Sequence, residues 1–339
     1  MSTDALIAEP LSQSTDVAPR FRHAGTAPAD PSDTATVAES KTDSRSRAGQ
    51  GGLFADLVQL TKPRIVVMIL VTTVASSLIA AGHLVAAETL FWLLLGTGMV
   101  AGSAGAANQI WERVIDCEMA RTATRPLPDG RINLSVAFVF TAVLGIAGSA
   151  ILWAWFGATP AVAGIATWLI YVLAYTPMKT RTAWNTTVGA IAGALPVLIG
   201  YTATGGSLSD PSGWLLLGVL ATWQYPHFMA IAWMYRRQYA EAGFCMTTTV
   251  EPTGRSAGIQ AIVGSLVLIA CGIALCLIPA GIIGGVLGSI AVFVSCYPML
   301  KASIRFARQP DDALARTLLR SSLLVLPAVL LVVTLRVFW

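Results

Sequence analysis

A chain of 339 residues with 55% hydrophobic and only 12% charged residues lies far from the roughly 25% charge of soluble domains. That excludes an ordinary water-soluble enzyme and reads as an integral membrane protein. The formal net charge of +4 calls for no nucleic-acid partner, because a bias of Lys and Arg toward one membrane face accounts for it. The five cysteines form no CxxC pair, and Cys271, Cys276 and Cys296 lie in apolar runs, which reads as buried packing rather than disulfide or metal chemistry.

Residues 1–52 differ in kind from the rest of the chain. They are rich in Ser, Thr, Ala, Asp and Pro and show no periodicity, and the first fifty carry seven acids against five bases. Such a composition reads as a disordered cytoplasmic tail. The acids Asp4, Glu9, Asp16, Asp30, Asp33, Glu39 and Asp43 argue against a mitochondrial transit peptide, and no apolar core marks a secretory signal. Residues 53–339 read as one polytopic membrane domain. Apolar stretches of ~20 residues, enough to cross ~30 Å of hydrocarbon, recur at 63–82, 89–111, 133–155, 159–176, 184–203, 213–234, 258–278, 281–300 and 317–338.

Lys and Arg fall on alternate connections. Arg45, Arg47, Lys62 and Arg64 precede or open the first span. Arg113, Arg121, Arg125 and Arg131 follow the second, Lys179 and Arg181 the fourth, Arg236, Arg237 and Arg255 the sixth, and Lys301, Arg305, Arg308 and Arg316 the eighth. The odd-numbered connections hold none. The positive-inside rule then puts the N-terminus in the cytoplasm and the C-terminus, with only Arg336, outside. Gly96, Gly98 and Gly102 lie inside a span with no preceding strand, so a dinucleotide loop is a poor reading. The pairs Gly98/Gly102, Gly189/Gly193 and Gly284/Gly288 read instead as close helix contacts.

The charge gathers at the end of the second span, in NQIWERVIDCEMARTATRPL from 108 to 127. Asn108, Glu112 and Asp116 are spaced by four, so on a continued helix they share a face with the two carboxylates ~6 Å apart along the axis. Two such carboxylates suit Mg²⁺, which takes one or two protein oxygens and completes its octahedron with water and substrate phosphate. Arg121 and Arg125 repeat the spacing with guanidinium groups, which bind phosphate or carboxylate bidentately. Ordinary juxtamembrane charge is the bland alternative. What weighs against it is a second polar set on the same side: Lys62 and Arg64, then Lys179, Arg181 and Asn185, then Arg236, Arg237 and Tyr239. One anion site could use them all.

These segments carry a resemblance. TKPR at 61–64, the run from Asn108, YTPMKTRTAWNT from Tyr175, GALPVLIG from Gly193 and WQYPHFMAIAWMYRRQYAEAGFCM from Trp223 together resemble the protohaem IX farnesyltransferases, the haem O synthases among the UbiA-type intramembrane prenyltransferases. The similarity covers nearly all of the chain after residue 52. It implies an all-α membrane fold of nine transmembrane helices around a central cavity capped by cytoplasmic loops. It also implies that Asn108, Glu112, Asp116, Arg121 and Arg125 form a Mg²⁺-diphosphate motif, that Lys179 and nearby polar residues hold diphosphate, and that His227 belongs to the haem side of the pocket. On the residues alone, a histidine in an apolar span reads equally as a hydrogen-bonded packing group.

The implied substrates are farnesyl diphosphate and protohaem IX, in a bacterial plasma membrane, with a haem A synthase or terminal-oxidase assembly as partners. The implied reaction ionises the diphosphate ester, lets a haem vinyl group attack the allylic cation, and captures the resulting cation with water. One departure stands out. The family's second motif runs Y-R-x-D-Y, whereas this chain has Tyr235, Arg236, Arg237, Gln238 and Tyr239. An amide cannot supply a carboxylate's charge, so Glu241, three residues on, is the expected substitute metal ligand if that loop is helical. A quinone-type prenyltransferase remains a rival, while a CDP-alcohol phosphotransferase lacks its D-G-x-x-A-R signature here. A transporter is disfavoured because spans three, five, seven and eight carry no charge at their centres.

Overall fold

The structure, a computed structural model, describes residues 52–338; the expected disordered tail lies outside the described residues. A short amphipathic helix, α1 (Leu53–Leu60), precedes α2 (Pro63–Ala81), α3 (Ala87–Glu112), α4 (Leu134–Phe156), α5 (Ala158–Met178), α6 (Asn185–Ala203) and α7 (Pro211–Met234). Two short helices, α8 (Arg236–Glu241) and α9 (Thr247–Val250), cap one end before α10 (Arg255–Leu277), α11 (Ile282–Arg308) and α12 (Asp312–Arg336). Among the described residues nine helices, all but α1, α8 and α9, are long and apolar enough to cross a membrane. No strand occurs among them.

Each span begins or ends where local chemistry dictates. Pro63 and Pro211 open α2 and α7 at positions where an N–H would be unpaired anyway. Asn133 caps α4 by accepting from Ser135 N at 2.9 Å. Asp311 caps α12 by accepting from Leu314 N at 2.7 Å. That last cap corrects the expected long eighth connection. α11 runs on to Arg308 and α12 starts at Asp312, so Lys301, Arg305, Arg308 and Arg316 sit on helices rather than in a loop.

Sequence neighbours pack side by side. α3 lies along α4, α7 along α10, and α10 along α11, while α12 leans on α11 and α7 and returns to touch α2, closing the ring. α6 is the most buried span, packed on α2, α5 and α7, and α4 is the least. Two of the glycine expectations separate cleanly. A methyl group on Gly193 would come within 2.5 Å of Gln224 Oε1, so that glycine leaves room for the α7 side chain, whereas Gly98 has its nearest neighbour at 3.7 Å and is not a close crossing.

Near its C-terminal end α5 widens into a π-helical segment, Ile170–Tyr175. Pro177 removes a donor just beyond it, and Thr176 Oγ1 donates to Tyr171 O at 2.8 Å, five residues back. Such bulges mark functional sites. This one delivers Tyr171, Tyr175 and Thr176 to the polar end of the bundle.

Candidate functional site

The polar end encloses a cavity of about 250 Å³ whose walls include Lys62, Glu112, Asp116, Arg121, Arg125, Lys179, Asn185 and Tyr239. Four segments that are remote in sequence supply it. α3 does not continue to Asp116 as expected: it ends at Glu112, and a tighter 3₁₀ turn, Ile115–Glu118, carries the second carboxylate. Asp116 is still delivered inward and is fully buried.

Each acid holds a base. Lys179 Nζ donates to Glu112 Oε1 at 2.6 Å, and Arg125 Nη1 donates to Asp116 Oδ2 at 2.6 Å. Lys62 Nζ donates to Asn108 Oδ1, while Asn108 Nδ2 donates to Thr176 Oγ1 at 3.0 Å. Asp116 Oδ1 is buried without a hydrogen-bond partner, which leaves a carboxylate oxygen free to take a cation. Burial raises the Asp116 carboxyl above its ordinary range, against the pull of the Arg125 guanidinium. Burial also works to lower Lys179, but the adjacent Glu112 carboxylate outweighs it and holds the ammonium above its usual range. Burial first, then repulsion from Lys179, lowers Lys62 to about 7.

Lys62 reaches this position through an unusual backbone. It has φ 56° and ψ 61°, the one positive φ outside glycine among the described residues. Gln109 Nε2 donates to Gln59 O at 3.2 Å and Leu60 O at 3.0 Å, pinning the end of α1 to α3. Gly105 completes the fit, since a methyl there would stand 2.9 Å from Thr61 O. A left-handed non-glycine residue costs roughly 1–2 kcal/mol. The turn accepts that cost to bring an ammonium group inward.

The cap closes the cavity from above. Arg121 stacks 4.5 Å over the Tyr235 ring and 5.7 Å from the Tyr239 ring, and its Nη2 donates to Tyr239 Oη at 3.1 Å. Asn185 Nδ2 donates to Thr182 O at 2.6 Å and Cys245 O at 2.9 Å. Its amide donors therefore fasten the 242–246 connection between α8 and α9, although its side chain also borders the cavity. Arg131 ties the other side down: its Nε donates to Asp56 Oδ1 at 3.0 Å, and its Nη2 donates to Thr124 O at 3.2 Å, one residue before Arg125.

Several expected residues fall elsewhere. Arg64 and Arg181 are exposed and do not line the cavity. Arg236 turns away, donating to Asp312 Oδ1 at 2.7 Å and lying 4.4 Å over the Trp233 ring. Glu241 lies on a helix with Gln238, as the compensation idea requires, but it is exposed and outside the cavity lining. No three His, Cys, Asp or Glu residues cluster among the described residues, so Glu112 and Asp116 stand as the carboxylate pair. His227 is also outside the lining. Its Nδ1 lies 2.9 Å from Ser322 Oγ and its ring stacks on Trp223 at 4.9 Å, on the α12 side of α7. Phe228, the next residue and ~100° around the helix, is the one that borders the cavity.

Sequence reasoning missed Tyr171, Tyr175 and Thr176. The Tyr175 ring lies 4.6 Å from Lys179 Nζ and already faces a cation. The cue was the pair of tyrosines four apart, ending in Thr-Pro just before Lys179 and Arg181.

Comparison with known proteins bears on the fold and the family. The profile of the UbiA prenyltransferase family matches residues 69–324. The chain is 62% identical over 284 residues to a protoheme IX farnesyltransferase of Rhodopirellula baltica, covering 83% of this chain and 99% of that one. A protoheme IX farnesyltransferase of Solibacter usitatus is 38% identical, covering 81% and 96%. Among solved structures, a UbiA homologue from Archaeoglobus fulgidus bound to DMAPP and Mg²⁺ superposes with TM-score 0.62 at 14% identity, covering 82% of this chain and 99% of that one. A digeranylgeranylglyceryl phosphate synthase superposes with TM-score 0.68 at 14% identity, covering 84% and 98%. At such identities these likenesses concern the fold. The span count, the acid-base cavity and the sequence relatives converge: the chain belongs to the UbiA prenyltransferase family.

Proposed function

We propose that this membrane enzyme transfers the farnesyl group of farnesyl diphosphate to a vinyl group of protohaem IX, with addition of water, giving haem O and diphosphate. The observation that carries the reading is the buried cavity in which Glu112 and Asp116 face Lys62, Arg125 and Lys179. The 62% identity to a protoheme IX farnesyltransferase selects the acceptor.

Glu112 and Asp116 would hold Mg²⁺, with Asp116 Oδ1 as the oxygen that has no other partner. When bound, the ion neutralises charge that grows on the leaving diphosphate. The protein's own part is electrostatic. Lys179 and Arg125, released from their carboxylates, and Lys62 and Arg121 at the walls, stabilise that same charge in a site shielded from bulk water. Tyr171 and Tyr175 line the same cavity, and aromatic rings there would stabilise an allylic cation. A fifteen-carbon chain gains up to ~12 kcal/mol from burial at ~0.8 kcal/mol per CH₂, which suits a cavity whose walls also include Ile65, Phe228, Ile231 and Met246. The placement of His227 favours packing over haem contact, and Phe228, Ile231 and Ala232 are the α7 residues that would meet the acceptor.

We place the charged face toward the cytoplasm of a bacterial cell, in the plasma membrane, because the Lys and Arg excess lies there. The reaction's lipophilic product calls for a membrane-bound consumer such as a haem A synthase or a terminal oxidase. The test is direct. Purified protein in lipid, given haem b, farnesyl diphosphate and Mg²⁺, should yield a haem heavier by one farnesyl plus one water in mass spectrometry. Unchanged haem from folded protein sinks the proposal, and prenylation of a quinone precursor instead would favour the rival acceptor.

A further inference from the structure

Beyond the cavity, the outer face shared by α11 and α12 carries charge that the reaction does not use. Only residues 309–311 separate the two helices, so they run antiparallel in tight register. A groove of about 300 Å³ lies between them, walled by Ser295 and Pro298 of α11 and Leu324, Val325 and Ala328 of α12, with Arg320 also on its wall. With Pro298 beside Leu324, the antiparallel register sets Lys301 level with Arg320 and Arg305 level with Arg316. All four are exposed, and none forms an ion pair among the described residues. The acids at the turn are already engaged, Asp311 in capping α12 and Asp312 with Arg236.

Arg320 makes this more than a topology signal. It stands eight residues beyond Asp312, ~12 Å along the helix at 1.5 Å per residue. It falls three residues inside the apolar stretch 317–338, where a cation snorkels to the headgroup level or finds an anion there. Positive-inside topology needs bases near the span's end; it does not need one of them to line a groove between two helices.

We infer that this face binds one anionic phospholipid, its phosphate held by Arg320 and Lys301 with Arg316 and Arg305 above, and one acyl chain lying in the groove. The argument is charge complementarity: cationic pockets between helices recognise acidic headgroups, at about 1 kcal/mol per Lys or Arg, which is roughly a fivefold change in affinity. It rests on the membrane-spanning fold and not on the identity of the prenyl acceptor.

The test is native mass spectrometry of the full chain exchanged into mixed phosphatidylglycerol and phosphatidylcholine. Wild type should keep a phosphatidylglycerol adduct in preference to phosphatidylcholine. The Lys301→Gln/Arg316→Gln/Arg320→Gln variant should bind it about a hundredfold more weakly while its phosphatidylcholine adducts and its melting in phosphatidylcholine stay unchanged. Arg320→Gln alone, the milder change should the triple variant fail to fold, should lose about fivefold. Equal retention of both lipids by wild type, or undiminished preference in Arg320→Gln, would overturn the inference. So would a carbodiimide cross-link from Lys301 to an acid in the first fifty residues, which would make the chain's own acidic segment the occupant.

Discussion

At the residue scale, charge decides the chemistry. Glu112→Gln or Asp116→Asn removes one carboxylate charge without changing size, and each should lower turnover by ~10² or more with the fold intact by circular dichroism. Wild-type turnover with an unmoved Mg²⁺ titration in both variants would remove them from the metal site. Glu241→Gln, by contrast, should leave the Mg²⁺ titration unmoved, since Glu241 is exposed away from the cavity.

Lys62 gives a prediction in pH. Burial and repulsion from Lys179 lower its ammonium from 10.5 to about 7, so between those values the unfolded chain binds more protons than the native one, and stability rises with pH across that window. Lys62→Met should flatten the rise of melting temperature between pH 7 and 10. Because bound diphosphate recharges the lysine, diphosphate binding at pH 8 should take up a proton. Calorimetry in buffers of different ionisation enthalpy measures this; the same uptake in Lys62→Met would exclude Lys62 as its source.

At the scale of elements, the site depends on how short segments are fastened to the spans. Arg131 bridges α1, through Asp56, to the loop bearing Arg125. Asp56→Asn should therefore raise KM for farnesyl diphosphate severalfold while leaving the haem KM unchanged. Equal change in both constants would point to general loosening of the cap instead. On α7, helical geometry turns His227 toward α12 and Phe228 toward the cavity. His227→Ala should cost stability with both KM values unchanged, whereas Phe228→Ala should raise KM for the acceptor. A haem titration shifted by His227→Ala and not by Phe228→Ala would reverse that assignment.

At the scale of the whole molecule, the last three spans are tied together by a residue that looked incidental. Arg336 is fully buried. Its Nε donates to Cys276 O at 3.1 Å, and its Nη2 donates to Pro279 O and Ala280 O at 2.9 Å and Gly281 O at 3.1 Å. It thus ties the end of α12 to the α10–α11 turn, and Gly284 makes room, since a methyl there would stand 3.1 Å from the guanidinium carbon. Arg336→Met leaves those carbonyls without a donor and should cost about 1–3 kcal/mol, seen as a lower melting temperature in detergent with kcat retained by the surviving fold. An unchanged melting temperature would show that water replaces the guanidinium without loss.

The sequence by itself determined the spans, their number and the side on which charge collects. These follow from hydrocarbon thickness and the cost of moving Lys and Arg across it, both readable residue by residue. It also marked Asn108, Glu112, Asp116, Arg125, Lys62 and Lys179, because buried charge in an apolar chain is conspicuous. Only the tertiary structure decided which bases meet which acids, since Lys179 and Glu112 are 67 residues apart and helix packing alone brings them together. It likewise decided that Arg236 serves a surface ion pair, that Asn185 fastens a loop, that Glu241 and His227 face away, and that Tyr171 and Tyr175 face inward. A span's composition fixes that it enters the membrane; its rotation about its own axis is set by its neighbours.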